Sequence, residues 1–173
     1  MIEIRIQGRG GQGAVTAAEL IAVAAFHDGK YAQAFPYYGV ERTGAPIQAY
    51  CRIDEKPIRL HEHVYEPDYL IVLDDTLVEK ADVFAGMKKG IALIASSAKK
   101  IKAPKGVEVK IADVYPIARA MLGGTIVNAL MVGVFAKETG VVSMPSVEKA
   151  IRERFPKEIA EKNVAAMKKA VGD

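Results

Sequence analysis

The chain opens with "IEIRIQGRGGQGAVTAAEL", in which an alternating segment (Ile2, Ile4, Ile6) runs into a cluster of glycines and then into an apolar helical pattern. A strand that ends in a glycine turn and continues as a helix places that helix on one face of a sheet, which confines the chain to layered α/β folds. Gly8, Gly10 and Gly13 have the spacing G-x-G-x-x-G, and Gly11 adds a further glycine inside the turn. Glycines allow close backbone approach, and the first N–H groups of the helix face whatever occupies the turn, so a phosphate or carboxylate suits it. Arg9 brings a guanidinium to the same loop, beside Gln12. A nicotinamide site also needs an acidic residue about 20 residues on, at the end of the second strand. The chain carries "AQAFPYYG" there, and Asp28 lies before that strand. Two readings therefore stay open on these residues: dinucleotide binding, in a free-standing oxidoreductase or regulator, and a tight turn that lets strand and helix pack.

The rest of the sequence continues the α/β alternation. Helix is predicted for 13–28, with Ala17, Leu20, Ile21, Ala24 and Ala25 on one face. Because Thr16 and Glu19 are the polar residues from Ala14 to Phe26, a second cover is expected opposite the sheet, such as a partner chain. Strands are predicted at 31–35, 47–53, 69–73, 91–95 and 107–111, with a turn at 54–57, an edge segment at 58–60 and a crossover helix at 76–85. From Val114 onward the pattern is helical: 114–122, a break at Gly123-Gly124, then 126–138, 145–155 and 157–171. The expected fold is a three-layer α/β/α arrangement with a mainly parallel central sheet and a helical C-terminal portion, and nothing in the sequence divides residues 1–173 into more than one domain.

Composition excludes several classes. Half of the 173 residues are hydrophobic, and a chain of this length can bury roughly 70% of its unfolded surface, so a packed core is expected. Lys+Arg 24 against Asp+Glu 21 is too balanced to indicate nucleic acid. Residues 121–136, within the longest uncharged run, contain Gly123, Gly124, Thr125 and Asn128, and the run falls short of a membrane span. With no charged-then-apolar leader before Ile2, a cytoplasmic location is expected. The single cysteine, Cys51, can neither form an internal disulfide nor hold an iron–sulfur cluster alone, and it reads as a packed strand residue.

A second informative stretch is "FPYYGVERTGAPIQAYCRID". Pro36, Gly39, Gly44 and Pro46 make a turn-rich loop that carries Tyr37, Tyr38, Glu41 and Arg42. If the sheet is parallel, this loop leaves the strand end at the same edge as the glycine turn, where open α/β sheets place ligands. At these two stretches, and at "NALMVGVFAKETGVVSMPSVEKAIRERF", the chain resembles the gamma subunit of 2-oxoacid:ferredoxin oxidoreductases over residues 1 to about 155. "ERTGAP" followed by "CRID" is closer to the pyruvate and branched-chain members than to the 2-oxoglutarate ones, while Thr43 stands where many relatives would be expected to carry Arg.

The resemblance implies a cytoplasmic complex with alpha, beta and delta subunits that passes electrons to ferredoxin. In that complex thiamine diphosphate, magnesium and iron–sulfur clusters sit in the partner subunits, and coenzyme A accepts the acyl group near this chain. It points to Gly8, Arg9, Gly10, Gly11, Gln12, Gly13, Tyr38, Glu41, Arg42 and Gly44 as the coenzyme-facing residues, with no catalytic or metal-ligating residue in the chain, while the nearly all-apolar helix from Ala14 to Phe26 is the ground for expecting a homodimer when the chain is isolated. The sequence agrees in lacking a Gly-Asp-Gly magnesium-diphosphate motif.

Other residues have plainer readings. His61 and His63 would share a strand face, with Glu66 as a third metal ligand, but no further His or Cys lies near in sequence. Asp74 and Asp75 precede Thr76 and read as helix caps. Ser96 and Ser97 close a strand before Lys99, Lys100, Lys102 and Lys105, a solvated basic face that could receive phosphate or an acidic partner. Asn128, polar in an apolar helix, needs a hydrogen-bond partner if buried.

Overall fold

The computed structural model describes residues 1–37, 45–98 and 100–172. The elements run β1 (Ile2–Arg9), α1 (Ala14–His27), β2 (Tyr31–Pro36), β3 (Pro46–Asp54), β4 (Tyr69–Val72), α2 (Thr76–Lys80), β5 (Gly90–Ala95), β6 (Val107–Ala112), α3 (Tyr115–Leu122), α4 (Asn128–Thr139), α5 (Met144–Arg154) and α6 (Lys157–Val171). The six strands form one sheet in the order β2-β3-β1-β4-β5-β6. β1 pairs antiparallel with β3 (Ile4 opposite Cys51) and parallel with β4 (Ile6 opposite Ile71), and the remaining pairs through β5 to β6 are parallel. Because β2 also runs antiparallel to β3, β2 and β1 point the same way. The chain after β2 thus leaves at the edge of the glycine turn, although the two strands are separated by β3, which runs antiparallel to both.

The two faces of the sheet are covered by different means. Ile4, Ile6, Ala49, Cys51, Ile53, Ile71 and Leu93 face the helical layer, where α1, α4, α5 and α6 complete the larger core. The second cover expected for the apolar α1 comes from α4 and α5 of the same chain, and Asp28 fixes that contact. Its carboxylate accepts from the Ser143 amide (2.7 Å) and from the hydroxyls of Ser143 and Ser146 (2.6 Å each) at the start of α5. Burial alone would raise its pKa, but these bonds and Lys30 outweigh it and hold the group below the usual range. α4 is buried from Asn128 to Ala136. A Cβ on Gly133 would lie 2.3 Å from Met167 Cγ, so glycine there permits the close approach of α4 and α6.

On the opposite face, Leu70, Val72, Ala92 and Ile94 pack under Leu77, Val83 and Met87 in a smaller core. The crossover helix predicted for 76–85 is helical only over Thr76–Lys80, because residues 81–87 turn back over the sheet in a succession of short backbone bonds. The β1–β3 half of this face carries polar side chains and is covered by coil. Arg52, fully buried, donates from Nε to Glu3 Oε1 (2.8 Å) and from Nη2 to the carbonyls of Glu62 (2.6 Å) and His63 (3.2 Å), with its guanidinium over the Phe35 ring. Arg5 binds the carbonyls of Ala85, Val64 and Tyr65, and Gln7 that of Val83. These donors fix 62–65 in an extended coil, so the predicted edge segment at 58–60 forms no strand, and His61 and His63 share no strand face.

Removing a buried donor leaves its acceptors unpaired, which costs more than the bond was worth. Arg52→Met should lower stability by about 3 kcal/mol, because it strands the Glu3 carboxylate and two carbonyls. The check is a lower urea midpoint together with faster proteolysis within residues 55–68.

Candidate functional site

β1 and β4 are adjacent and parallel, but their connections depart to opposite sides: α1 crosses the large-core face toward β2, and α2 crosses the other face toward β5. The carboxyl ends of these strands therefore flank a topological switch point, where α/β sheets form ligand crevices. The glycine turn stands on one side of it and Asp74, Asp75 and Thr76 on the other.

The turn is held by its own backbone and by long-range side-chain contacts. The Gly10 amide donates to Ala45 O (2.9 Å), which joins the turn to the end of the β2–β3 connection, and the Gln12 amide donates to Arg9 O (3.0 Å). Gln12 Oε1 accepts from the Arg9 amide (2.7 Å), while its Nε2 donates to Asp74 Oδ2 (2.9 Å). Arg9 Nε meets the same Asp74 oxygen at 3.1 Å, and its Nη2 donates to Thr76 Oγ1 (2.6 Å). Arg9 thus spans the switch point from turn to β4 end. Asp74 accepts from both the amide and the hydroxyl of Thr76. Burial would raise its pKa, but the bonds from Thr76 and Gln12 and the charge of Arg9 depress it below the carboxylate norm.

Asp74 caps in the expected way, since its Oδ1 accepts the amide of Thr76, the first residue of α2, but it also braces the glycine turn; Asp75 makes no capping bond and accepts from Ser96 Oγ (2.5 Å). Periodicity could not reveal the Arg9–Asp74 pair, whose members are 65 residues apart. The one available signal was that both follow predicted parallel strands. Tyr115 closes the same edge by donating to Leu73 O (2.9 Å), and burial beside Asp75 and Asp74 pushes its hydroxyl up to about 12.

Two glycines in the turn have different reasons to lack a side chain. Gly13 (φ 79°) caps α1 from the left-handed region, and a Cβ there would lie 2.3 Å from Asn128 Nδ2. Asn128 answers its expected need for partners at this place: Nδ2 faces Gly13 O at 3.5 Å and Oδ1 accepts from the Ala129 amide. Gly11 (φ 91°) is exposed, and a Cβ there would meet nothing within 4 Å. No side chain caps the N-terminus of α1, and its first turn holds no acidic residue, so its dipole favours an anion.

A cavity of about 650 Å³ continues past Thr76, lined by Asp75, Ser96, Lys80, Lys100 and Lys102 among others. Tyr38, Glu41, Arg42 and Gly44, together with Thr43 and Lys99, lie outside the described residues. Cys51 is a packed strand residue as expected, and burial pushes its thiol up to about 12. His63 meets Tyr37 edge-on and Tyr50 at a tilt, Glu66 pairs with Lys88, and no group of three metal-ligating side chains occurs among the described residues.

Gly13→Ala should cost about 2 kcal/mol or more, from left-handed strain plus displacement of Asn128, whereas Gly11→Ala should cost about 1 kcal/mol from strain alone. In an Asn128→Ala background the Gly13→Ala penalty should shrink toward that of Gly11→Ala, as a double-mutant cycle of urea midpoints would read. Asp74 supplies a pH-dependent part of this scaffold. Its depressed folded-state pKa stabilises the protein fully above the unfolded value of 3.8, and that contribution disappears as pH falls through the lower folded value. The stability difference between the native chain and Asp74→Asn should thus be constant from neutral pH down to about 5 and vanish at the acid end.

Comparison with known proteins bears directly on this geometry. The family model for pyruvate ferredoxin/flavodoxin oxidoreductase matches residues 3–172. The chain is 51% identical over 170 residues to pyruvate synthase subunit PorC of Methanothermobacter thermautotrophicus, covering 98% of this chain and 94% of that one. It is 48% identical over 177 residues to the pyruvate/ketoisovalerate oxidoreductases common subunit gamma of Thermococcus litoralis, covering 98% and 95%. The crystal structure of pyruvate oxidoreductase subunit PORC from Thermotoga maritima superposes with a TM-score of 0.84 at 35% identity, covering 99% of this chain and 96% of that one. No helix among the described residues is long and apolar enough to cross a membrane. The exposed glycine turn at the switch point is thus set in the fold of an oxidoreductase subunit, and the chain belongs to the pyruvate ferredoxin/flavodoxin oxidoreductase family as one of its gamma-type subunits.

Proposed function

We propose that the chain serves a cytoplasmic pyruvate:ferredoxin oxidoreductase as one gamma-type domain, residues 1–173, that presents coenzyme A to the reaction while alpha, beta and delta subunits carry the redox chemistry. The observation that carries this reading is the glycine turn, exposed at Gly11, uncapped at α1 and braced across the switch point by Arg9 and Asp74. Backbone N–H groups at a helix N-terminus suit the phosphates of coenzyme A, and Lys80, Lys100 and Lys102 offer further positive charge along the adjoining cavity. Gly8, Arg9, Gly10, Gly11, Gln12 and Gly13 form the turn, and Tyr38, Glu41, Arg42 and Gly44 would complete the site from the β2–β3 connection.

The chain's own donor set does not fit the remaining cofactors. An iron–sulfur cluster needs several thiolates, and the one cysteine is buried in β3 with a raised pKa. Thiamine diphosphate with magnesium supplies the decarboxylation chemistry when bound, and this reading assigns both to the partners because the sequence lacks Gly-Asp-Gly. Choice of 2-oxo acid is also assigned to the partners: the Thermococcus litoralis relative is named as a subunit common to pyruvate and ketoisovalerate oxidoreductases.

Steady-state kinetics of the reconstituted complex test the proposal. A charge-assisted contact is worth about 1.5 to 3 kcal/mol, so Arg42→Ala should raise the KM for coenzyme A by roughly one to two powers of ten and leave that for pyruvate little changed. Gly11→Val should do at least as much, and the isolated chain should neither decarboxylate pyruvate nor reduce ferredoxin. If neither substitution alters coenzyme A kinetics, the turn is structural and the proposal fails.

A further inference from the structure

The coil-covered half of the sheet holds a second cavity, about 440 Å³, lined by Arg5, Tyr37, Gln48, Tyr50, His63 and Tyr65. Its rings form a continuous cluster: Tyr37 to His63 at 4.9 Å, Tyr50 to His63 at 5.9 Å and His63 to Tyr65 at 6.3 Å between centroids. Tyr50 OH donates to Gln48 Oε1, which fixes that wall. Arg5 is 5% exposed, and its two terminal nitrogens are taken by carbonyls, but Nε has no hydrogen-bond partner.

Arg5 and Arg52 are buried on the same face, but they differ in their counter-charge. Arg52 has Glu3 at 2.8 Å, whereas no carboxylate among the described residues lies within ion-pair distance of Arg5. Asp82 offsets its charge only from farther away. A buried cation left without an anion is costly unless something supplies one. At the mouth of the cavity, Tyr65 is 66% exposed and Tyr37 42% exposed, an aromatic rim that a small acid seated beside Arg5 would leave uncovered. Tyrosine and arginine grouped in this way are typical of the energetic centre of a protein interface.

We propose that this cleft docks an acidic segment of a partner subunit, with an Asp or Glu carboxylate facing Arg5 and the flanking chain covering Tyr37, His63 and Tyr65. The inference needs only that the chain works as one subunit among several; it is independent of where coenzyme A binds.

The test uses Tyr65, whose exposed ring can be replaced without touching the core, and reads the affinity of the chain for the remaining subunits of its complex, with circular dichroism to show that each variant is folded. Tyr65→Glu places a negative charge at the rim and should weaken assembly by at least about tenfold, whereas Tyr65→Lys should weaken it much less and make it more salt-sensitive. Equal losses in both variants would mean that the docked segment is not acidic, and unchanged assembly in both would mean that no subunit docks there. Sodium acetate is the probe for a small acid. Saturable acetate shifts at Tyr37 and His63 in the isolated chain, with assembly unaffected by either variant, would assign the cleft to a free carboxylate. Any of these three results overturns the proposal.

Discussion

Hydrogen-bond satisfaction on one face of β1 governs how the rest of this molecule is arranged. Arg5 and Gln7 point away from the main core, as Arg52 does from β3, and each must find acceptors once the sheet is covered. A helix has no free carbonyls along its middle, so it could not satisfy them. Extended coil can, and the carbonyls of Glu62, His63, Val64, Tyr65, Val83 and Ala85 are the ones used. That requirement shortens α2, keeps 58–68 out of the sheet, and leaves the helical layer concentrated on the opposite face, where α1, α4, α5 and α6 pack tightly. The aromatic cleft beside Arg5 is a by-product of the same arrangement.

At the other end of β1 the constraint is conformational. Gly13 must be left-handed and must lie against Asn128, so α1 starts at a fixed place relative to α4. Arg9 and Gln12 then converge on Asp74, which ties the turn to the end of β4 across the switch point. The resulting scaffold is rigid on its protein side and open at Gly11. Under the proposed function, that division lets the turn position coenzyme A while the reacting groups belong to the partner subunits.

Much of this was legible in the sequence. The helical C-terminal portion and strands β2 to β6 stand within a residue or two of their periodicity, because each has an apolar side that the pattern reports directly, while β1 runs three residues past the alternating Ile2, Ile4, Ile6 to Arg9. The glycine turn was recognisable because left-handed backbone and close approach restrict the residue type locally. What the pattern misread were segments whose conformation answers to distant groups. Residues 81–85 carry helix-compatible side chains yet turn back over the sheet, where Val83 and Ala85 accept from Gln7 and Arg5. His61 and His63 alternate like a strand, but the carbonyl of His63 serves Arg52. Asp74 does accept the Thr76 amide as a cap would, but it also accepts from Arg9 and Gln12, and Asp75 accepts from Ser96.

The sequence by itself determined the α/β class, the order of the elements, the turn between β1 and α1, and the absence of thiolates sufficient for a redox cluster. Each of these depends on residue identity over a few positions: side-chain period, glycine's missing Cβ, cysteine count. Only the tertiary structure decided that α1 is covered on its second face by α4 and α5, that Arg9 spans to Asp74, and that Arg5 lies buried with no carboxylate of the described residues within ion-pair distance. Those outcomes join groups tens of residues apart, and the pairing of a buried charge is settled by which strands become neighbours, a property of the assembled sheet that local sequence does not encode.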